Sequence, residues 1–474
     1  MNLRGLFLIV YGLITVGLFI NFRASFLIYT SFVINAIFLF LVVIYHLYYE
    51  KDNSPFISAF IVFTFLFFLV APIIQINTFY ELEFPRFINY FPFNEKLVVY
   101  SNILIFLFNF CFIFSYILFK NKRIKYNVIK DKITYKYSAL NILCVLICSF
   151  LIFFFSYDFI LWNLETPSWL EYKESVIKIL GWKKVLFMVP FGGVILCFQY
   201  LKNRKKKLSV NFMIVLISLL CFIFLLFWFK NPFTEKRNAL GPIYLCLVFL
   251  LYPKIFSNNV KNISILFFIM IVLFPLSSIL TNTDATFWQI LQNPEILLNE
   301  AKYGGLTKTF NTLHYDAFAN VNATIAYVSN NGISYGFQLL SAFLFFIPRS
   351  IWVDKPISTG QLIGEDLIRN YGFNFSNLSN PLVSEGYINF GVVGVLFFAI
   401  FFAFAIVKFL KWFQSDSMIK KILAFYLAIH LLFLLRGDFT NGFSYYIGAL
   451  FGVMVIPSMI NIFITELFKL NRKT

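Results

Sequence analysis

Arginine is the side chain best suited to holding phosphate, because its planar fork donates two parallel hydrogen bonds and never loses its charge. Three arginines in this chain stand where apolar runs end and charge is costly. Arg237 follows Lys236 in Lys230-Asn231-Pro232-Phe233-Thr234-Glu235-Lys236-Arg237. Arg349 opens a long polar stretch, Pro348-Arg349-Ser350-Ile351-Trp352-Val353-Asp354-Lys355-Pro356. Arg436 sits in Leu435-Arg436-Gly437-Asp438-Phe439. One arginine at such a boundary commonly snorkels to lipid headgroups. Three of them, two within two residues of an Asp or Glu, point to an anion site.

Other chemistries have no footing. No phosphate-binding glycine loop, no Gly-x-Gly-x-x-Gly after a strand and no His-Glu-x-x-His occurs. The three histidines, His46, His314 and His430, are far apart, and the carboxylates do not fall at metal-ligand spacing. We therefore expect no metal and no cofactor. The six cysteines all lie inside apolar runs without a Cys-x-x-Cys pair, as small core residues do. An enzyme built this way would use a preactivated membrane substrate and mostly electrostatic catalysis.

The elements that carry these residues are dictated by composition. Hydrophobic residues make up 60% of the 474 and charged residues 13%, more apolar surface than a soluble protein could hide. Apolar runs of spanning length recur near 5–21, 25–46, 55–76, 97–119, 138–157, 185–201, 210–229, 239–256, 263–280, 389–410, 421–435 and 442–465. The expected fold is an all-α polytopic membrane protein of about 12 spans. The first run lacks a small-residue cleavage site and reads as a retained helix. Three regions follow: spans one to nine in 1–280, a long loop in 281–388, and spans ten to twelve in 389–474. A connection this long is usually functional. Within it Asp316–Ser329 has helical character, and Tyr335–Ile347 is apolar but too short to cross comfortably. Helices lying on or dipping into the outer leaflet are expected, against a competing scheme in which Ile333–Trp352 crosses.

Charge orients the bundle. With the N-terminus inside, inner loops hold 23 of the 39 Lys and Arg but only 5 of the 22 Asp and Glu, as the positive-inside rule requires. The net charge of +17 thus reports topology and contact with anionic membrane lipid, not nucleic acid. Both termini are placed in the cytoplasm, and Arg237, Arg349 and Arg436 outside.

The run Ile347-Pro348-Arg349-Ser350-Ile351-Trp352 with Lys355-Pro356, then Ser384-Glu385-Gly386-Tyr387 and Asn389-Phe390-Gly391 with Gly394, resembles the O-antigen polymerase (Wzy) family of membrane glycosyltransferases. Arg349, then ten residues, then Gly360 resembles an arginine–glycine spacing in outer loops of that family, and Lys236-Arg237 and Arg436-Gly437-Asp438 fit its arginines at outer helix ends. These motifs cover about a tenth of the chain. The resemblance implies a GT-C-like architecture in a bacterial inner membrane. It also implies transfer of a growing glycan from undecaprenyl diphosphate onto a new lipid-linked repeat unit, with a flippase and a chain-length regulator as partners. Arg237, Arg349 and Arg436, helped by Lys236 and Lys355, would then neutralise the diphosphate leaving group. The base for the acceptor hydroxyl would be Glu385 first, Asp438 second, or His314. For Glu385 a role as a helix N-terminal carboxylate is equally open. A ligase that attaches finished polymer, or a lipid-linked oligosaccharide flippase, remains the alternative.

Overall fold

A computed structural model describes residues 2–81, 87–123, 138–166, 180–203, 209–275, 287–293, 295 and 310–470. Every regular element among them is helical. Many helices open on a small polar residue whose side chain accepts a backbone N–H three positions on. Ser25, Ser54, Ser138, Ser209, Asn258 and Ser358 all do so. These caps satisfy N–H groups that the helix itself leaves unbonded.

The apolar helices make this a polytopic membrane protein. We number them α1 (Leu3–Ile20), α2 (Phe26–Tyr49), α3 (Pro55–Glu81), α4 (Glu95–Arg123), α5 (Ala139–Phe155), α6 (Tyr157–Glu165), α7 (Gly181–Lys202), α8 (Val210–Phe229), α9 (Arg237–Leu251) and α10 (Asn259–Leu273). Beyond them come α11 (Ala317–Asn331), α12 (Phe337–Phe343), α13 (Thr359–Tyr371), α14 (Leu382–Phe413), α15 (Met418–Arg436) and α16 (Phe439–Leu467). Nine are long and apolar enough to cross a membrane, and a tenth crossing results if α5 and α6, bent by 58°, form one broken span. The eighth and ninth apolar runs become the shorter α9 and α10.

Packing runs from a dry centre to a lipid-facing edge. The most apolar window of α3 is 94% buried and that of α1 only 6%. Helix α15 packs along α3 and α9, and α14 along α4. Contacts between successive helix ends separate the bundle into two poles. Asn53 Nδ2 donates to the Phe256 carbonyl at 2.7 Å at one, and Gln75 Nε2 donates to the Phe310 and Tyr315 carbonyls at the other.

The long connection folds into that second pole. Helix α11 forms where helical character was expected and inserts between α14, α4 and α13, with residues 317–325 all buried. Of the stretch 333–352 only the seven residues of α12 are helical, so no crossing helix forms there. Helix α14 starts at Leu382, ahead of the expected 389, and breaks at Phe390 and Gly391. The arm before the break carries buried Ser384, Glu385 and Asn389, of which hydropathy assigns Ser384 and Glu385 to loop. The lysines at 125, 130, 132 and 136 and the basic run 204–207 lie outside the described residues.

Candidate functional site

Two of the three arginines meet. The segment ahead of α11 is pinned from within: Tyr315 is buried, stacks on Phe67, and donates its hydroxyl to the Met270 carbonyl at 3.0 Å. His314 and Asp316 flank it in sequence and face the two arginines. Arg237, the first residue of α9, donates through Nη1 to the Phe274 carbonyl at 2.8 Å and lies over the Phe274 ring at 4.2 Å. Its Nη2 stands 3.3 and 3.2 Å from the two ring nitrogens of His314. Arg436, the last residue of α15, donates through Nη2 to the Leu313 carbonyl at 2.6 Å and to Asp316 Oδ1 at 3.1 Å.

The electrostatics favour an added anion. Arg237 and Arg436 are close enough for their like charges to repel, and Asp316 is the one carboxylate paired with them among the described residues. Burial holds Asp316 above the ordinary carboxylate range even though Arg436 pulls it down. Burial, then Arg237 and Arg436, lower His314 from 6.5 to about 3. His314 is thus neutral beside two cations, able to accept a proton and unable to cancel their charge. Arg436 keeps 21% of its side chain exposed, so the cluster is not sealed.

The remaining predicted carboxylates build the wall beside it. Glu385 is 2% exposed, and its Oε1 accepts the Thr359 hydroxyl at 2.6 Å and the Phe439 N–H at 2.9 Å. It therefore caps the start of α16 rather than its own helix. Asp438 caps the same start by accepting the Thr440 N–H at 3.0 Å, and burial raises its pKa. The turn between α15 and α16 has positive φ at both Gly437 (138°) and Asp438 (49°). A Cβ at Gly437 would stand 2.4 Å from the Asn380 backbone, so only glycine lets Arg436 turn toward Asp316 there.

Arg349 and Lys355 serve their own loop. Arg349 donates to the Lys355 and Pro356 carbonyls at 2.5 and 3.3 Å. Lys355 Nζ donates to the carbonyls of Leu344, Phe345 and Ile347 at 3.1, 3.0 and 2.9 Å, satisfying the end of α12. No contact among the described residues joins either one to Arg237 or Arg436. Lys236 is exposed next to Arg237. Gly360 acts in packing: a Cβ there would lie 2.0 Å from the Leu378 carbonyl oxygen.

Sequence reasoning missed two residues near this pole and one network at the other. Lys184 is buried, donates to Asn441 Oδ1 at 2.7 Å and to Ser444 Oγ, and lies over the Tyr445 ring. Lys230 is buried with Glu235 at 3.2 Å, and burial lowers its pKa against the pull of Glu235. Lysine at the outer edge of an apolar run, against the positive-inside trend, was the available signal. At the opposite pole His46 joins Glu50 at 2.5 Å and Ser58 at 2.8 Å. Ser58 is wholly buried inside α3, so this relay-like geometry offers no route for a substrate. Among the described residues no group of three or more His, Cys, Asp or Glu could hold a metal ion.

No family model matches the chain, and neither a curated protein nor a solved structure does.

Proposed function

We propose that this protein is a membrane glycosyltransferase that extends a glycan on undecaprenyl diphosphate at the outer face of a bacterial cytoplasmic membrane. The observation that carries it is the convergence of Arg237 and Arg436, from two distant helix ends, on the His314–Asp316 segment. A lipid diphosphate is an anion delivered at the membrane boundary, and paired guanidinium forks suit its oxygens. In the transfer the bond between the sugar's anomeric carbon and phosphate oxygen breaks, and charge builds on the departing diphosphate. Arg237 and Arg436 oppose that charge as it forms. The acceptor hydroxyl bonds to the anomeric carbon and gives its proton to His314, which is neutral and adjoins Arg237. His314 takes this role ahead of Glu385 and Asp438, whose oxygens already cap α16.

The test is a host deletion complemented with Arg237→Lys and Arg436→Lys, which keep charge but lose the fork. A charge-assisted hydrogen bond contributes about 1.5–3 kcal/mol, so each substitution should slow polymer formation by roughly ten- to a hundredfold. Lipid-linked single units should accumulate while the protein stays in the membrane. Unchanged polymer in both variants would overturn the assignment. Finished polymer left on its lipid carrier would instead identify a ligase, and undelivered units inside the cell a flippase.

A further inference from the structure

Buried polar atoms are nearly always paired, and each one left unpaired costs about 1–3 kcal/mol. Four such atoms lie on Arg436 and on residues of α11 and at the start of α14. Asn320 Oδ1, Asn380 Nδ2, Ser384 Oγ and Arg436 Nε have no hydrogen-bond partner among the described residues. Asn320 and Asn380 are 0% exposed and Ser384 1%.

Their bonded neighbours tie them to one place. Asp316, Asn320 and Thr324 follow one another at successive turns along a single face of the helix that α11 begins. Asp316 holds Arg436. Asn320 Nδ2 donates to the Ser379 carbonyl at 2.5 Å, and the Thr324 hydroxyl donates to Asn380 Oδ1 at 3.0 Å. The Asn380 carbonyl accepts the Asp438 N–H at 3.0 Å, and Ser384 lies in the first turn of α14. Each amide is thus anchored by one end and open at the other. The turn that aims Arg436 also rests on this junction.

The open set has a definite chemistry. It contains an acceptor on Asn320, donors on Asn380 and Arg436, and a serine hydroxyl that is both. An anion could use only the donors and an ammonium only the acceptors. Vicinal hydroxyl groups donate and accept together, and they match the set. We propose that the junction of α11 and α14 is a carbohydrate subsite, in which Asn320, Asn380, Ser384 and Arg436 Nε bind hydroxyls of the sugar attached to the diphosphate held by Arg237 and Arg436. This inference rests on the glycosyltransferase assignment and adds the residues that would read the sugar. A site that spends stability on open polar atoms rejects a ligand lacking the matching hydroxyl, because those atoms then stay unpaired.

Ser384→Ala is the decisive variant, since it removes an open atom and leaves the hydrogen bonds on either amide intact. Three quantities are read on the full chain: thermal stability in detergent, its shift with inorganic pyrophosphate, and the rate of polymer formation in host membranes. The expected result is unchanged or higher thermal stability, an unchanged pyrophosphate shift, and a polymer rate down about tenfold, the equivalent of one lost buried hydrogen bond. A normal rate with normal stability overturns the inference. Lowered stability also overturns it, because the hydroxyl would then be bonded through ordered water as part of the fold. If the unsubstituted protein shows no pyrophosphate shift and its deletion leaves polymer unchanged, the glycosyltransferase assignment fails instead, and the subsite falls with it.

Discussion

At the scale of single residues, His314 decides most. Its depressed pKa of about 3 means the imidazole is uncharged wherever the host grows. A bound diphosphate would oppose the two arginines and restore basicity as the substrate arrives. We expect kcat/KM to stay flat through pH 6.5 and to fall only toward about pH 4, because that ratio follows the free enzyme's groups. An acid limb centred near 6.5 would remove His314 from the reaction. The sign for stability is the same. The folded pKa lies below the unfolded one, so the contribution is complete above 6.5 and lost as pH falls from 6.5 toward 3. His314→Asn should slow transfer by roughly 10²–10⁴-fold, the usual worth of a positioned base. Glu385→Gln should do little, since an amide oxygen can still accept from Thr359 and Phe439. A loss above about a hundredfold in Glu385→Gln would return the base to Glu385.

At the scale of elements, the fold is held by polar knots at helix ends. Glu50 follows α2, and its Oε1 accepts from Tyr116 at 2.5 Å and Lys120 at 2.8 Å, both on α4. Its Oε2 faces His46, and Asn259 of α10 donates to the His46 and Asp52 carbonyls at 2.9 and 3.2 Å. Burial alone would raise the Glu50 pKa, but His46 and Lys120 outweigh it and hold it below 4.5. This stabilisation is therefore present above pH 4.5 and is lost as pH falls through the lower folded value. Glu50→Ala strands the buried His46 and leaves the half-buried Lys120 with Asp52 alone, and should cost about 3–5 kcal/mol, read as a fall in thermal stability in detergent. Near-unchanged stability would show that α2, α4 and α10 are held by apolar packing alone. The pyrophosphate shift at the other pole should survive in whatever fraction stays folded.

At the scale of the molecule, one pole carries the Glu50 knot and the other the arginine pair. Between them the outer faces of the bundle are phenylalanine- and leucine-rich and exposed, as at Leu13, Phe26, Phe154 and Phe463, which suits contact with lipid. Reporter fusions after Lys136 and Lys207 should report cytoplasm, and fusions near Arg237, Tyr303 and Gly437 the exported side. A cytoplasmic signal anywhere in 290–330 would turn the arginine pole inward and remove its access to an outward-facing lipid diphosphate.

The sequence by itself determined the class and the elements. Apolar runs of spanning length have no stable alternative to helices in lipid, and each of them carries a helix among the described residues. The helical character of Asp316–Ser329 was also legible, because the pattern that signals a helix is local. Arginine near a helix end could likewise be seen, and with it the notion of an anion site. Only tertiary structure decided which arginines act together. Arg436 reaches Asp316 across 120 residues of chain and Arg237 reaches His314 across 77, and contacts that distant depend on how whole helices pack. The same holds for Glu385, whose local pattern marks a helix start but not that the start it caps belongs to α16. The buried arm 382–389 and the open amides of Asn320 and Asn380 were invisible for a related reason. A polar residue in a polar stretch reads as solvated until the fold closes over it and removes the water.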